Sequence, residues 1–194
     1  MTPARAFFSG HSRRLFVALA TTFTMVALGN VGCGTTVRKV RPPSPYEKEQ
    51  VQLFDDTIDA AAVGLDINQT FDPATDPNLD NRVRASDTIV RARVLTVSSR
   101  GDINKPTYQL SLATQGEAFY ERNPIKSPFN LRVDSTSPSS GIVKHLESGL
   151  IGKTFIVYLR EFIRPDGDTE LHFHMSPDTK AVTKAIQDAY ARTQ

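Results

Sequence analysis

Tryptophan is absent from the 194 residues, and cysteine occurs once, at Cys33. One thiol excludes an intramolecular disulfide, so packing of apolar side chains must hold the fold. No acidic residue precedes Glu47, and Arg5, Arg13 and Arg14 are the only charges in the first 32 positions. The uncharged apolar run that follows them, Leu15 to Leu28, spans roughly 21 Å at about 1.5 Å per residue, too short for a comfortable transmembrane helix. Neither a G-x-S-x-G nucleophile turn nor a glycine-rich phosphate loop occurs, and no enzyme activity is expected.

What the N-terminus does contain is a three-part leader. Positive charge that stays on the cytoplasmic side comes first and the apolar run second. Gly29, Val31 and Gly32 then supply small or flexible residues to a peptidase that cuts extended chain. Leu28-Gly29-Asn30-Val31-Gly32-Cys33 resembles the lipobox of bacterial lipoproteins, departing from it at Asn30, where an aliphatic residue is usual. The resemblance implies cleavage before Cys33 and a diacylglycerol on its thiol, which makes Cys33 the lipidation site and membrane lipid a partner. An ordinary secretory signal is the alternative, but it leaves a lone thiol in an exported chain without a role. Ser12-Arg13-Arg14-Leu15-Phe16 resembles the twin-arginine export motif, with general secretion as the alternative. Gly34 stands where lipoproteins retained in the inner membrane can carry Asp, so the resemblance favours the outer membrane, facing the periplasm.

Cleavage leaves 162 residues, enough for one domain and a tether. It removes three of the 23 basic residues and none of the 21 acidic ones, for a formal charge of −1, so no basic footprint for nucleic acid remains. Residues 33–45 read as the lipidated cysteine and a proline-rich tether. Arg38, Lys39 and Arg41 in it either lean on anionic head groups or keep the linker soluble. Over 46–66 a helix is predicted, started by Ser44, Pro45 and Glu47. Val51, Phe54, Ile58, Ala61, Ala62 and Leu65 recur at helical spacing, with Asp55, Asp56 and Asp59 on other faces. Residues 67–84 read as an Asp- and Pro-rich loop. Asp66, Asn68, Thr70 and Asp72 alternate as in a calcium loop, but Phe71 replaces the turn glycine and Pro77 the bidentate Glu, which excludes an EF-hand.

From residue 85 to 176 the period changes to two. Strands are predicted over Thr88 to Val97, with a bulge after Val94, and over Thr107 to Ala113, Phe129 to Val133, Thr154 to Phe162 and Glu170 to Met175. A helix lies between Pro138 and Lys153, a hairpin turn at Arg164 to Asp168, and an amphipathic helix over 177–194. This order predicts an α+β fold: a five-stranded OB-like antiparallel barrel with an interstrand helix, flanked by N-terminal and C-terminal amphipathic helices. The stretches Ala85 to Val94 and Leu150 to Leu159 resemble the first strand and the helix-to-fourth-strand passage of OB-like domains related to netrin and protease-inhibitor modules. Those modules usually carry disulfides, so inhibition is not carried over.

Three sets of residues carry the functional expectations. Glu170, His172 and His174 share one strand face, and two imidazoles with a carboxylate are donors for zinc or another divalent ion. A wet outer strand face is the alternative. Phe119, Tyr120 and Ile125 supply apolar surface to a long connection and are candidates for a partner surface, unless the segment packs locally. Arg91 and Arg93 suit an anionic ligand or, more simply, acidic residues across the sheet. The expected function is a lipid-anchored, non-catalytic interaction module for an unknown envelope protein. The alternative is a lipoprotein that binds a small ligand or divalent metal for a transporter, and no cofactor beyond the covalent lipid is expected.

Overall fold

The computed structural model describes residues 40–192, apart from 48, 67, 69, 70 and 103, and these belong to one compact unit. The leader, Cys33 and the tether up to residue 39 lie outside the described residues. Among the described residues no helix is long and apolar enough to cross a membrane. In chain order the elements are β1 (Ser44–Pro45), α1 (Glu49–Leu53), β2 (Thr57–Ile58), 3-10 turns at Ala60–Val63 and Pro73–Thr75, and α2 (Leu79–Ala85). Then come β3 (Thr88–Asp102), β4 (Lys105–Thr114), β5 (Tyr120–Glu121), β6 (Phe129–Val133), α3 (Ser140–Leu150), β7 (Thr154–Ile163), β8 (Thr169–Pro177) and α4 (Lys180–Arg192).

All eight strands join one mixed sheet whose main path runs β2-β8-β7-β3-β4-β6, with β1 added to β7 and β5 to β3. The β1–β7 and β2–β8 pairings are parallel and the others antiparallel. Strand β3 serves two main neighbours: Thr88 to Arg93 pairs with β7, and Ala92 to Asp102 pairs with β4. The register shifts between Val94 and Thr96, so Leu95 is the predicted bulge, and it coils the strand from one neighbour to the next.

The sheet curls into a half-barrel and stays open, in place of the closed five-stranded barrel that the sequence predicts. Among the described residues no pairing joins β6 to β8. Two features prevent closure. Strand β6 is only five residues long. The second half of the outer edge of β8 is already occupied, because the Asp56 and Asp59 amides donate to the Phe173 and Met175 carbonyls at 3.0 and 2.9 Å and β2 pairs alongside.

Whereas β6 alternates buried and exposed residues, both faces of β7 are buried, which explains its near-continuous apolar run. Its odd-numbered residues Phe155, Val157 and Leu159 point into the curl and pack with Val94, Leu110, Leu131 and Phe173, under Val143 and Leu150 of α3. Ile156, Tyr158 and Phe162 point outward and are covered by Leu53, Phe54, Leu79, Val83, Val182 and Ile186. Each large aliphatic or aromatic side chain buried this way contributes about 1.5–3 kcal/mol.

The helix predicted over 46–66 is interrupted. α1 ends at Leu53, and Asp56 takes a left-handed φ of 57° before the chain becomes β2. The reason is geometric: Phe54 belongs to the outer core and Ile58 to the inner one, and a single helix face cannot reach round a sheet edge to fill both. The predicted loop 67–84 contains α2, whose Arg82 is buried, donating to Leu53 O at 3.1 Å and Asp76 Oδ2 at 2.6 Å. The end of the predicted tether is docked. Arg41 N donates to Asn123 Oδ1 at 3.0 Å, Asn123 Nδ2 donates back to Arg41 O at 2.9 Å, and Ser44 and Pro45 pair with Phe162 and Ile163.

Candidate functional site

Period two places Glu170, His172 and His174 on one face of β8, as the sequence predicts, and Ser176, expected to lie beyond the strand, continues that face. That face is not wet. It looks toward the outer core, and the segment from Tyr46 to Asp59 lies over it. The Tyr46 ring stacks on His172 with centroids 3.8 Å apart, and its hydroxyl donates to Phe54 O at 2.5 Å. Parallel pairing of Thr57 with His174 and of Ile58 with Met175 then brings three aspartates against the histidines.

The result is a ladder of carboxylates and imidazoles. His172 Nδ1 lies 2.9 Å from Asp56 Oδ2, and its Nε2 lies 4.0 Å from Glu170 Oε2. The left-handed Asp56 backbone turns that carboxylate so that its other oxygen accepts from the Phe173 amide at 3.2 Å. His174 sits between Asp59, 3.3 Å from its Nε2, and Asp55, 3.7 Å from its Nδ1. At 3.7 Å the second contact is an ion pair without a hydrogen bond, and both atoms are buried with no hydrogen-bond partner. Ser176 Oγ completes the ladder by donating to Asp59 Oδ2 at 2.6 Å.

Burial opposes charge on His174, but Asp55 and Asp59 outweigh it and hold the imidazole above the usual histidine range. Burial likewise raises Asp55 and Asp59, and the attraction of the His174 imidazole outweighs it, leaving both carboxyls below their ordinary value. Asp56 goes the other way: its burial exceeds what His172 returns, and it is raised. The set therefore favours the charged form of His174, and its carboxylate–imidazole contacts fasten the N-terminal segment to β8. Ser176 Oγ is buried under this cluster, with its hydrogen bond directed to the Asp59 carboxylate. Among the described residues no three His, Cys, Asp or Glu side chains are grouped to hold a metal ion. The proposed donors Glu170, His172 and His174 instead face the aspartates and, for Glu170, Arg132 at 3.6 Å and Arg164 at 3.9 Å.

Glu170 also borders the open seam. A cavity of about 410 Å³ lies between β6 and β8, lined by Tyr108, Asn130, Leu131, Arg132, Glu170 and Leu171 among others. The Arg132–Glu170 contact bridges it. The other predicted residues lie elsewhere. Phe119 and Tyr120 are half-buried against the outer core, with Tyr120 in β5 and 5.4 Å from the Tyr190 ring. Ile125 packs against the inner core. Arg91 pairs with Asp178 at 2.9 Å, Arg93 is exposed, and His145 is exposed on α3, away from the ladder strand. Cys33 lies outside the described residues.

Asp55, Asp56 and Asp59 are the members of the ladder that sequence reasoning placed apart from the histidines. For Asp55 and Asp59 the available signal was spacing, since alternate positions 55, 57 and 59 match the period of 172, 174 and 176 once 46–66 is read as partly extended; that spacing does not include Asp56. No family model, curated protein or solved structure matches the chain.

Proposed function

We propose that this chain is a lipid-anchored envelope protein, tethered through Cys33 to the periplasmic face of the outer membrane, that acts as a non-catalytic interaction module. The observation that carries the anchor is the order of charge, short apolar run and small residues before a lone cysteine. The open seam supports the interaction half of the reading. Five strands pair in the order β8-β7-β3-β4-β6 with α3 between β6 and β7, the arrangement of an OB-like barrel cut between its third and fifth strands. At the cut, β6 and the first half of β8 present edges that pair with no other strand among the described residues. Such edges accept an extended segment of a partner, main chain to main chain, with side-chain pockets for specificity. The partner is therefore an envelope protein that supplies an extended peptide.

A photo-crosslinking residue at exposed Asn130 on β6, in intact cells, tests this reading. A discrete crosslinked envelope protein, absent when the same residue replaces exposed Lys144 on α3, is the expected result. Equal labelling from both positions contradicts the seam as the docking edge.

A further inference from the structure

A second concavity opens beside the point where the tether meets the domain. Its volume is about 480 Å³, and Arg41, Arg84 and Arg160 line it together with the side-chain amides of Gln50, Asn78 and Asn81. Glu49 is the one acid among its described lining residues.

The guanidinium groups are held by neutral acceptors. Ala85 O accepts from Nη1 of both Arg41 and Arg160, Arg84 O accepts from Arg41 Nη2 at 3.0 Å, and Ser44 Oγ accepts from Arg160 Nη2 at 2.9 Å. Carbonyls and hydroxyls orient a cation without cancelling its charge. Asp87 approaches Arg41 at 3.8 Å, and among the described residues no carboxylate pairs with Arg84 or Arg160. Arg160 is 8% exposed, yet its Nε has no hydrogen-bond partner. Burial lowers the affinity of Arg41 and Arg160 for their protons, repulsion from Arg122 and, at Arg160, from Arg41 adds to it, and the Asp87 carboxylate offsets only part of this at both. One buried carboxylate, Asp87, set against the three guanidiniums leaves a positive excess that a further anion would complete.

We propose that this pocket binds a phosphate-type oxyanion, with the Arg41, Arg84 and Arg160 guanidiniums as its donors. Guanidinium forks match phosphate oxygens bidentately, and the site is preorganised because Asn123 clamps the Arg41 backbone by two hydrogen bonds. The volume admits a phosphate monoester or a lipid phosphate. Arg41 is eight residues from Cys33, a reach of about 29 Å at most even fully extended, so head groups lie within range of an anchored chain. The pocket itself does not rest on the anchor; only the choice of a head group as the source of phosphate does.

Titration calorimetry of the full chain carrying Cys33→Ser, with inorganic phosphate as the probe, tests the pocket. Saturable binding that weakens about tenfold in Arg84→Gln and is lost on raising the salt supports it. Arg84 is exposed, so that variant keeps the fold, which circular dichroism checks; Arg160→Gln is the buried counterpart. Vesicle flotation of the same protein separates the sources. Preference for phosphatidylglycerol over phosphatidylcholine vesicles, abolished by Arg84→Gln, supports the head group, whereas phosphate binding with no vesicle preference supports a free phosphate. Absence of both, or binding unchanged in folded Arg84→Gln and Arg160→Gln, overturns the proposal.

Discussion

Replacing His174 by Gln removes the one positive charge between Asp55 and Asp59 while leaving a polar group of similar reach. Contacts of 3.3 and 3.7 Å are each worth about 4–5 kcal/mol before desolvation at an effective dielectric near 20. Dehydrating the three ions returns several kcal/mol apiece, and the Asp55 contact is screened further because a third of that side chain is exposed. The net loss expected for His174→Gln is about 2 kcal/mol at pH 5.5. The folded protein holds His174 above its unfolded value of 6.5, so this stabilisation is fully present below that pH and is lost as pH rises through the folded pKa. Asp55 and Asp59 are held below 3.8, so on the acid side it persists above about pH 4 and fades as they protonate. Asp56 is raised and works in the opposite sense, which is why the difference between wild type and variant is the quantity to follow rather than wild-type stability. Urea unfolding monitored by far-ultraviolet circular dichroism from pH 4.5 to 9 measures it. A wild-type advantage that is flat with pH, or that grows toward pH 9, refutes the ladder as a charge clasp.

Phe119→Ala and Ile125→Ala should each lower unfolding stability by about 1–2 kcal/mol, read in the same urea assay, because both side chains pack against cores rather than standing free. Asn123→Ala deletes both hydrogen bonds to Arg41 and should raise amide hydrogen exchange at Arg41 and Ser44 while leaving that of Leu131 on β6 unchanged. Gly152→Ala should cost about 1–2 kcal/mol in thermal unfolding: its φ is 84°, and the added Cβ meets the Arg93 guanidinium at 3.4 Å.

Local pattern carried much of this fold. Period-two alternation located β4, β6 and β8, an apolar run located β7, the break in phase after Val94 located the bulge, and the stripe of Val182, Ile186 and Ala189 located α4. α2 was hidden because it is seven residues long and buries Arg82 beside only Leu79 and Val83, so its inward face reads as polar. The N-terminal segment misled for the reverse reason. Its apolar residues keep helical spacing, yet they serve two cores on opposite sides of a sheet edge, a fact that no window of sequence contains. The same long-range step concealed the ladder, since Asp56 and His172 are 116 residues apart. Sheet closure was equally unreadable: whether β6 reaches β8 depends on which strand has already taken the β8 edge.

The proposed anchor at Cys33 would decide where all of this surface chemistry operates. Growth of cells in radiolabelled palmitate, followed by immunoprecipitation and membrane fractionation of wild type and Cys33→Ser, measures it directly. Label on the wild-type chain alone, with that chain in the outer-membrane fraction and the variant released, is the predicted result. Unlabelled wild type, or identical fractionation of the two, contradicts the account.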